Sequence, residues 1–286
     1  MKPSTFSLVA CDSANGDLGI AVASKFLAVG SVVSWAQAGV GAIATQAWAN
    51  TRYAPLAFEM LKQGMSVEQI GAALTTADPD FAQRQFGIVD AQGRGFTFTG
   101  AQCFDWAGGR VGANYAAQGN ILAGAQVVDA LAETFEHSTG ALAARLLNAL
   151  AAGQAAGGDK RGQESAALLV VRAQGGYGGF NDRYIDLRVD DHPTPIDELK
   201  RLLALHRMYL EKSQPDDLMP LDENIARELQ TLLARRGYSV SVSGVWDKAS
   251  QKAFREFGGV ENLEERLPEG PFIDKTVLKF LREKFG

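Results

Sequence analysis

Thr5-Phe6-Ser7-Leu8-Val9-Ala10-Cys11-Asp12-Ser13-Ala14-Asn15-Gly16-Asp17-Leu18-Gly19-Ile20-Ala21-Val22-Ala23-Ser24 is the stretch whose pattern sets the fold class. Two apolar runs of strand length, 5–11 and 18–24, flank an Asn-Gly pair, the strongest short-range hairpin signal. Working outward, 31–38 and 40–46 read as two more strands. The stretches 52–63 and 66–75 read as helices, the second with Ser66 as N-cap. Strands are expected at 85–90, 95–99, 101–106 and 112–118. A second helix pair follows at 126–136 and 141–152, then strands at 165–172 and 184–189, and a closing amphipathic helix at 196–210. Because strands come in hairpin-sized groups rather than singly between helices, a doubly wound parallel sheet is disfavoured. The order fits an α+β fold, a four-layer αββα sandwich of two antiparallel sheets. Burial of both sheet faces accounts for strands such as Ala166-Ala167-Leu168-Leu169-Val170-Val171 that do not alternate.

The composition changes near residue 218. Of 31 glycines, 25 precede it, whereas residues 218–286 carry 11 charges of each sign. The polar, proline-containing stretch 212–217 reads as a link, giving domains at 1–212 and 219–286. In the second, Ile225, Leu229, Leu232 and Leu233 form one helical stripe. The residues 240–242 read as a brief strand or extended link, and 249–257 and 275–285 as two further helices.

A net charge of −5 supplies no basic field for nucleic acid or an anionic membrane, so neither is an expected partner. The most apolar stretch, 18–35, is too interrupted to span a bilayer. The two cysteines, Cys11 and Cys103, make no disulfide framework and read as small buried hydrophobes. No signal peptide is evident at Met1-Lys2-Pro3, so a cytoplasmic location is expected. The Ala- and Gly-rich helical layers predict a homo-oligomer built on a two-fold dimer.

The sequence lacks HExxH, CxxC, Walker and GxSxG motifs, which removes zinc, P-loop and ordinary serine-hydrolase chemistry. A phosphate-loop lookalike, Gly39-Val40-Gly41-Ala42-Ile43-Ala44, lacks the alternating βα units a dinucleotide site needs. Asp190-Asp191-His192 reads as ion pairing and helix capping rather than a metal site, since neighbours on a strand point to opposite faces. No cofactor or metal is expected. Thr5, read from its residue type alone, is a β-branched residue suited to a strand, and it is also the one suggestive nucleophile. A threonine hydroxyl needs a base, and a free α-amine on the same residue can serve, but Met1 to Ser4 precede it.

The segments Thr5–Ala10, Ala21–Gly30, Ala44–Asn50, Gln118–Gly124, Gly157–Ala167 and Asp186–His192 together resemble the domain-of-unknown-function 1028 family, over residues 5–212. That resemblance implies an N-terminal-nucleophile (Ntn) hydrolase-like sandwich. The opening also resembles proteasome-type Ntn hydrolases. By that likeness Thr5 is the nucleophile, Lys25 lowers its pKa, Gln118-Gly119-Asn120 supplies oxyanion donors, and Asp159 and Ser165 orient the amine. Arg161 flanks Asp159 in the same dense motif. Ala23 stands where the pattern has an aspartate, so self-cleavage before Thr5 is expected to be inefficient. The pattern Leu229-Gln230…Leu233…Gly237-Tyr238…Gly244-Val245-Trp246-Asp247…Ala253-Phe254…Phe257 is similar to a peptidoglycan-binding three-helix domain, which implies cell-wall glycopeptide as its ligand. Read from its residues alone, the segment is as well explained by a packing or dimerisation module with Trp246, Phe254 and Phe257 as core. Three readings result: a hydrolase of amide-type C–N bonds acting on a small-molecule substrate, a non-catalytic binding or scaffold protein that keeps the sandwich without a free nucleophile, or a site centred on Asp159, Arg161 and His192 that does not use Thr5.

Overall fold

In a computed structural model, which describes residues 5–286, the first hairpin forms from β1 (Thr5–Asp12) and β2 (Asp17–Ser24). Its turn is closed by Asn15 and Gly16 N–H groups donating to the Asp12 carbonyl, with Gly16 at φ +79. The turn-closing Asp17 is buried and takes two hydrogen bonds from Arg172, at 2.7 and 2.6 Å.

After β2 come α1 (Gly30–Val33), β3 (Ser34–Gln37) and β4 (Gly41–Ala47), then α2 (Tyr53–Lys62) and α3 (Val67–Ala77). The strands β5 (Arg84–Asp90), β6 (Gly95–Thr99), β7 (Gly108–Gly112) and β8 (Tyr115–Asn120) precede α4 (Gln126–His137) and α5 (Leu142–Ala155). The strands β9 (Ser165–Val171) and β10 (Arg183–Val189) and helix α6 (Pro195–Leu210) follow. The fold is α+β with antiparallel sheets. One sheet has six strands in the order β10-β9-β2-β1-β8-β7, the other four in the order β3-β4-β5-β6.

Alternation along each strand assigns its faces. In β4, Ala42 and Ala44 join Val9, Ile20 and Val22 in a core between the sheets, while Ile43 packs with Phe58 and Ile70 beneath α2 and α3. In β1, Ser7 and Val9 face the other sheet. Phe6 faces α5, where a Cβ on Gly153 would lie 3.4 Å from its ring. Helices α4 and α5 thus lie on the six-stranded sheet, and α2 and α3 on the four-stranded one. Ser66 caps α3 as its sequence suggests, within a capping box completed by Gln69.

Two of the strand expectations for this part of the chain need correction. The stretch 31–38 begins as α1, because Ala28 adopts φ +53 and Ser31 bonds back to its carbonyl. The stretch 101–106 is no strand: its N–H groups at Gln102 and Cys103 bond to Ala82 and Gly100 rather than to a ladder, and the strand comes later, as β7. In the phosphate-loop lookalike, Gly39 sits at φ +71 in the β3–β4 turn and Gly41 opens β4, where a Cβ would lie 2.7 Å from the Val89 carbonyl.

The chain divides into two compact units between Leu202 and Leu203, within α6 rather than at the polar stretch 212–217. The second unit contains β11 (Leu218–Pro220), α7 (Glu223–Arg235), α8 (Lys248–Val260), β12 (Phe272–Asp274) and α9 (Lys275–Phe285). Residues 240–242 form no strand; the strands are β11 and β12, paired antiparallel. Asp222, Asp247 and Asp274 each cap the helix that follows, an arrangement worth about 1 kcal/mol per helix. Leu229, Leu233, Phe254, Phe257, Val277 and Leu281 form the core, with Trp246 edge-on to Phe254. No helix among the described residues is long and apolar enough to cross a membrane.

Candidate active site

Register places four polar side chains in one row. Thr5 on β1 pairs with Ser24 on β2 and Asn120 on β8, and Ser24 pairs with Ser165 on β9. Directly paired residues point to the same face, so Ser165, Ser24, Thr5 and Asn120 line the inner face of four neighbouring strands. All four are at least 98 % buried. Thr5 Oγ1 and Ser24 Oγ share a hydrogen bond at 3.2 Å.

Behind this row the sheets meet through side-chain amides. Gln46 Nε2 donates to Gln85 Oε1 at 2.9 Å and to the Thr5 carbonyl at 3.3 Å. Asn120 Nδ2 donates to the same Gln85 oxygen at 2.8 Å. Ser7 Oγ donates to Gln46 Oε1 and accepts from Gln118 Nε2, each at 2.6 Å. Gln85 Nε2 donates to the Gly119 carbonyl at 2.7 Å. Buried amides are tolerated when paired in this way, and such a network holds its members in one arrangement. The inter-sheet space is therefore apolar around Val9 and Ile20 and polar at the Thr5 end.

A cavity of about 260 Å³ opens beside Thr5 and Gln46. Phe26, Val29, Val32 and Val33 form one wall, and Ala47, Trp48 and Ala49 the other. Each wall is braced from behind. The Asp159 carboxylate accepts from the Lys25 N–H at 2.9 Å and from the Arg161 N–H at 2.8 Å, and pairs with the Arg161 guanidinium at 3.0 Å. Ser165 Oγ accepts from the Val29 N–H at 3.0 Å and donates to the Phe26 carbonyl. On the other side, Arg84 donates to the Trp48 carbonyl at 2.7 Å and to Asp78 at 2.9 Å. The Arg84 guanidinium holds the Asp78 carboxyl well below the usual carboxylate range, helped by Asn50, the Asp80 N–H and Tyr53 and opposed by burial. Ala47, which lines the cavity, has a left-handed backbone at φ +62, as do Ala28 at +53, next to Val29 in the chain, and Ile121 at +54, next to Asn120. Each costs of order 1–3 kcal/mol, and such strain gathers at functional sites.

Of the six residues singled out in the sequence, Thr5, Asn120 and Ser165 share the row. Asp159 and Arg161 sit beside it, on the loop that bridges Leu122 to Asp159. The Lys25 side chain leaves the row: its Nζ lies 3.3 Å from the Gln163 carbonyl and 3.6 Å from Glu164. Ser24, Gln46, Gln85 and Trp48 also belong to the site, and no motif in the chain marks them. The available signal was a polar residue within a strand whose both faces are apolar, as with Gln46 in β4. Cys11 is buried, and burial pushes its thiol up to about 11, whereas Cys103 is partly exposed. Among the described residues, no three His, Cys, Asp or Glu side chains converge as a metal site.

A model described as "Family of unknown function (DUF1028)" matches residues 5–199. The chain belongs to the DUF1028 family. Its second unit matches the model "Putative peptidoglycan binding domain" over residues 209–281. The crystal structure of protein SPO2555 from Silicibacter pomeroyi, also a DUF1028 protein, is similar at 32 % identity and a TM-score of 0.66. That match covers 71 % of this DUF1028 chain and 86 % of the other. A comparison with curated proteins found no match.

Proposed function

We propose that the first unit is an Ntn-type hydrolase of amide C–N bonds on an αββα scaffold, with Thr5 as its nucleophile. The observation that carries this reading is the position of Thr5: it heads β1 within a buried polar row and borders a cavity. The chemistry is amide hydrolysis. Thr5 Oγ1 attacks the substrate carbonyl carbon, and its proton passes to the residue's own α-amine. The C–N bond breaks as the departing amine takes that proton. Water then opens the threonyl ester, releasing a carboxylic acid and restoring the hydroxyl. This needs the Ser4–Thr5 bond to be cut first, since only then is the α-amine free.

One observation favours a second reading, ligand binding without turnover. The Lys25 ammonium is engaged by Glu164 and the Gln163 carbonyl, not by the polar row. Intact-mass spectrometry separates the two. Loss of Met1 to Ser4, together with amide turnover that Thr5→Ala abolishes, supports the hydrolase. A chain that keeps these residues and turns over no amide in a screen sinks it and leaves the binding reading.

A further inference from the structure

We infer that the cavity beside Thr5 receives an uncharged, apolar group of the substrate, and that Trp48 is the wall against which that group is selected. The inference rests on the hydrolase reading for the word substrate; its binding content stands without turnover.

Polarity is confined to one end, at Thr5 and Gln46, while both walls are apolar. None of the lining residues carries a charge, among the described residues. The charged groups behind the walls already have partners. Arg84 is held by Asp78, Asp159 by Arg161, and Lys25 by Glu164. An ionised group entering the cavity would give up water without gaining a counter-ion, which is strongly unfavourable. The amide end of a ligand, in contrast, carries no charge and lies at the Thr5 hydroxyl, whose bond to Ser24 is 3.2 Å long, while the Gln46 carboxamide beside it is held by Gln85 and Ser7.

Trp48 is presented rather than packed. Its side chain belongs to a residue 52 % exposed, yet its backbone is fixed on both sides. Its N–H donates to the Gln83 carbonyl at 3.2 Å and its carbonyl accepts from Arg84 at 2.7 Å. The preceding Ala47 is held at φ +62. A large apolar ring on a pinned backbone offers contact area with little ordering left to lose on binding. At about 260 Å³ the space falls just below the usual range for a whole small ligand, roughly 300–1,000 Å³. It suits one side group, with the amide lying at the Thr5 end.

The test uses full-length Thr5→Ala protein, so that turnover cannot confuse binding. Ligand-observed NMR titrations compare hexanamide with its ω-carboxylate and ω-amino analogues, which share chain length and differ in tail charge. Saturable hexanamide binding is expected, with both charged analogues weaker by about tenfold or more. Trp48→Ala weakens hexanamide several-fold. Val32→Asp, on a half-buried wall position, moves the preference to the ω-amino analogue and keeps the test decisive if the tryptophan variant folds poorly. Equal binding of the three probes, or no saturable hexanamide binding, overturns the inference. Selective binding without amide turnover by the wild-type protein overturns only the hydrolase reading.

Discussion

Ala47 carries more of the site than its size suggests. It lines the cavity and turns the chain from β4 into the Trp48 wall, through a backbone that an L-residue with a Cβ adopts at a cost. Glycine adopts the same φ freely but loses more freedom on folding. The first effect is the larger, so Ala47→Gly is expected to raise stability in urea denaturation by up to about 1 kcal/mol. A clear loss instead would mean that the Cβ makes contacts worth more than the strain. Gln46, its neighbour, shows the opposite economy of design. It is fully buried, and its amide is satisfied by Gln85, Ser7 and the Thr5 carbonyl at once.

The elements that shape the cavity are tied down by charge. Asp78 follows α3 and Arg84 opens β5, so their buried pair joins a helix end to a strand and reaches the Trp48 carbonyl. Removing the guanidinium by Arg84→Met leaves a buried carboxylate unpaired, a loss of roughly 3–5 kcal/mol. The pH dependence follows from the direction of the Asp78 shift. Folding depresses this pKa, so its contribution is complete above the unfolded value of about 3.9 and fades as pH falls through and below it. Asp78→Asn should therefore be destabilised relative to wild type at pH 7, with the gap narrowing toward pH 3. Urea midpoints measured at the two pH values check this; a gap that stays constant would show that Asp78 acts through shape alone.

At the scale of the whole molecule, the second unit begins earlier than charge density suggests. Met208 is buried in its core, and the Arg207 carbonyl accepts from buried Arg266. Ser213 and Arg266 both bond to Asp274, the residue that caps α9. A fragment of residues 203–286 is therefore expected to unfold cooperatively, and one of 219–286 to be less stable by about 3 kcal/mol or more, from lost burial and orphaned polar groups. Equal stability of the two in calorimetry would restore the boundary near residue 219. Local pattern along the chain encodes the individual elements. The Asn-Gly turn set the β1–β2 hairpin, Ser66 marked the start of α3, and leucine spacing drew the helices of both units. Apolar runs without alternation pointed to strands covered on both faces. Which polar residues meet depends on the packed sheets. Thr5, Ser24, Asn120 and Ser165 form a row because three separate strand pairings fall in one register. Gln46 reaches Gln85 only because β4 and β5 are neighbours facing the other sheet. Lys25, beside Thr5's partner in sequence, turns instead to Glu164. These neighbours lie far apart along the chain, and their meeting depends on register and sheet packing, which no local spacing records.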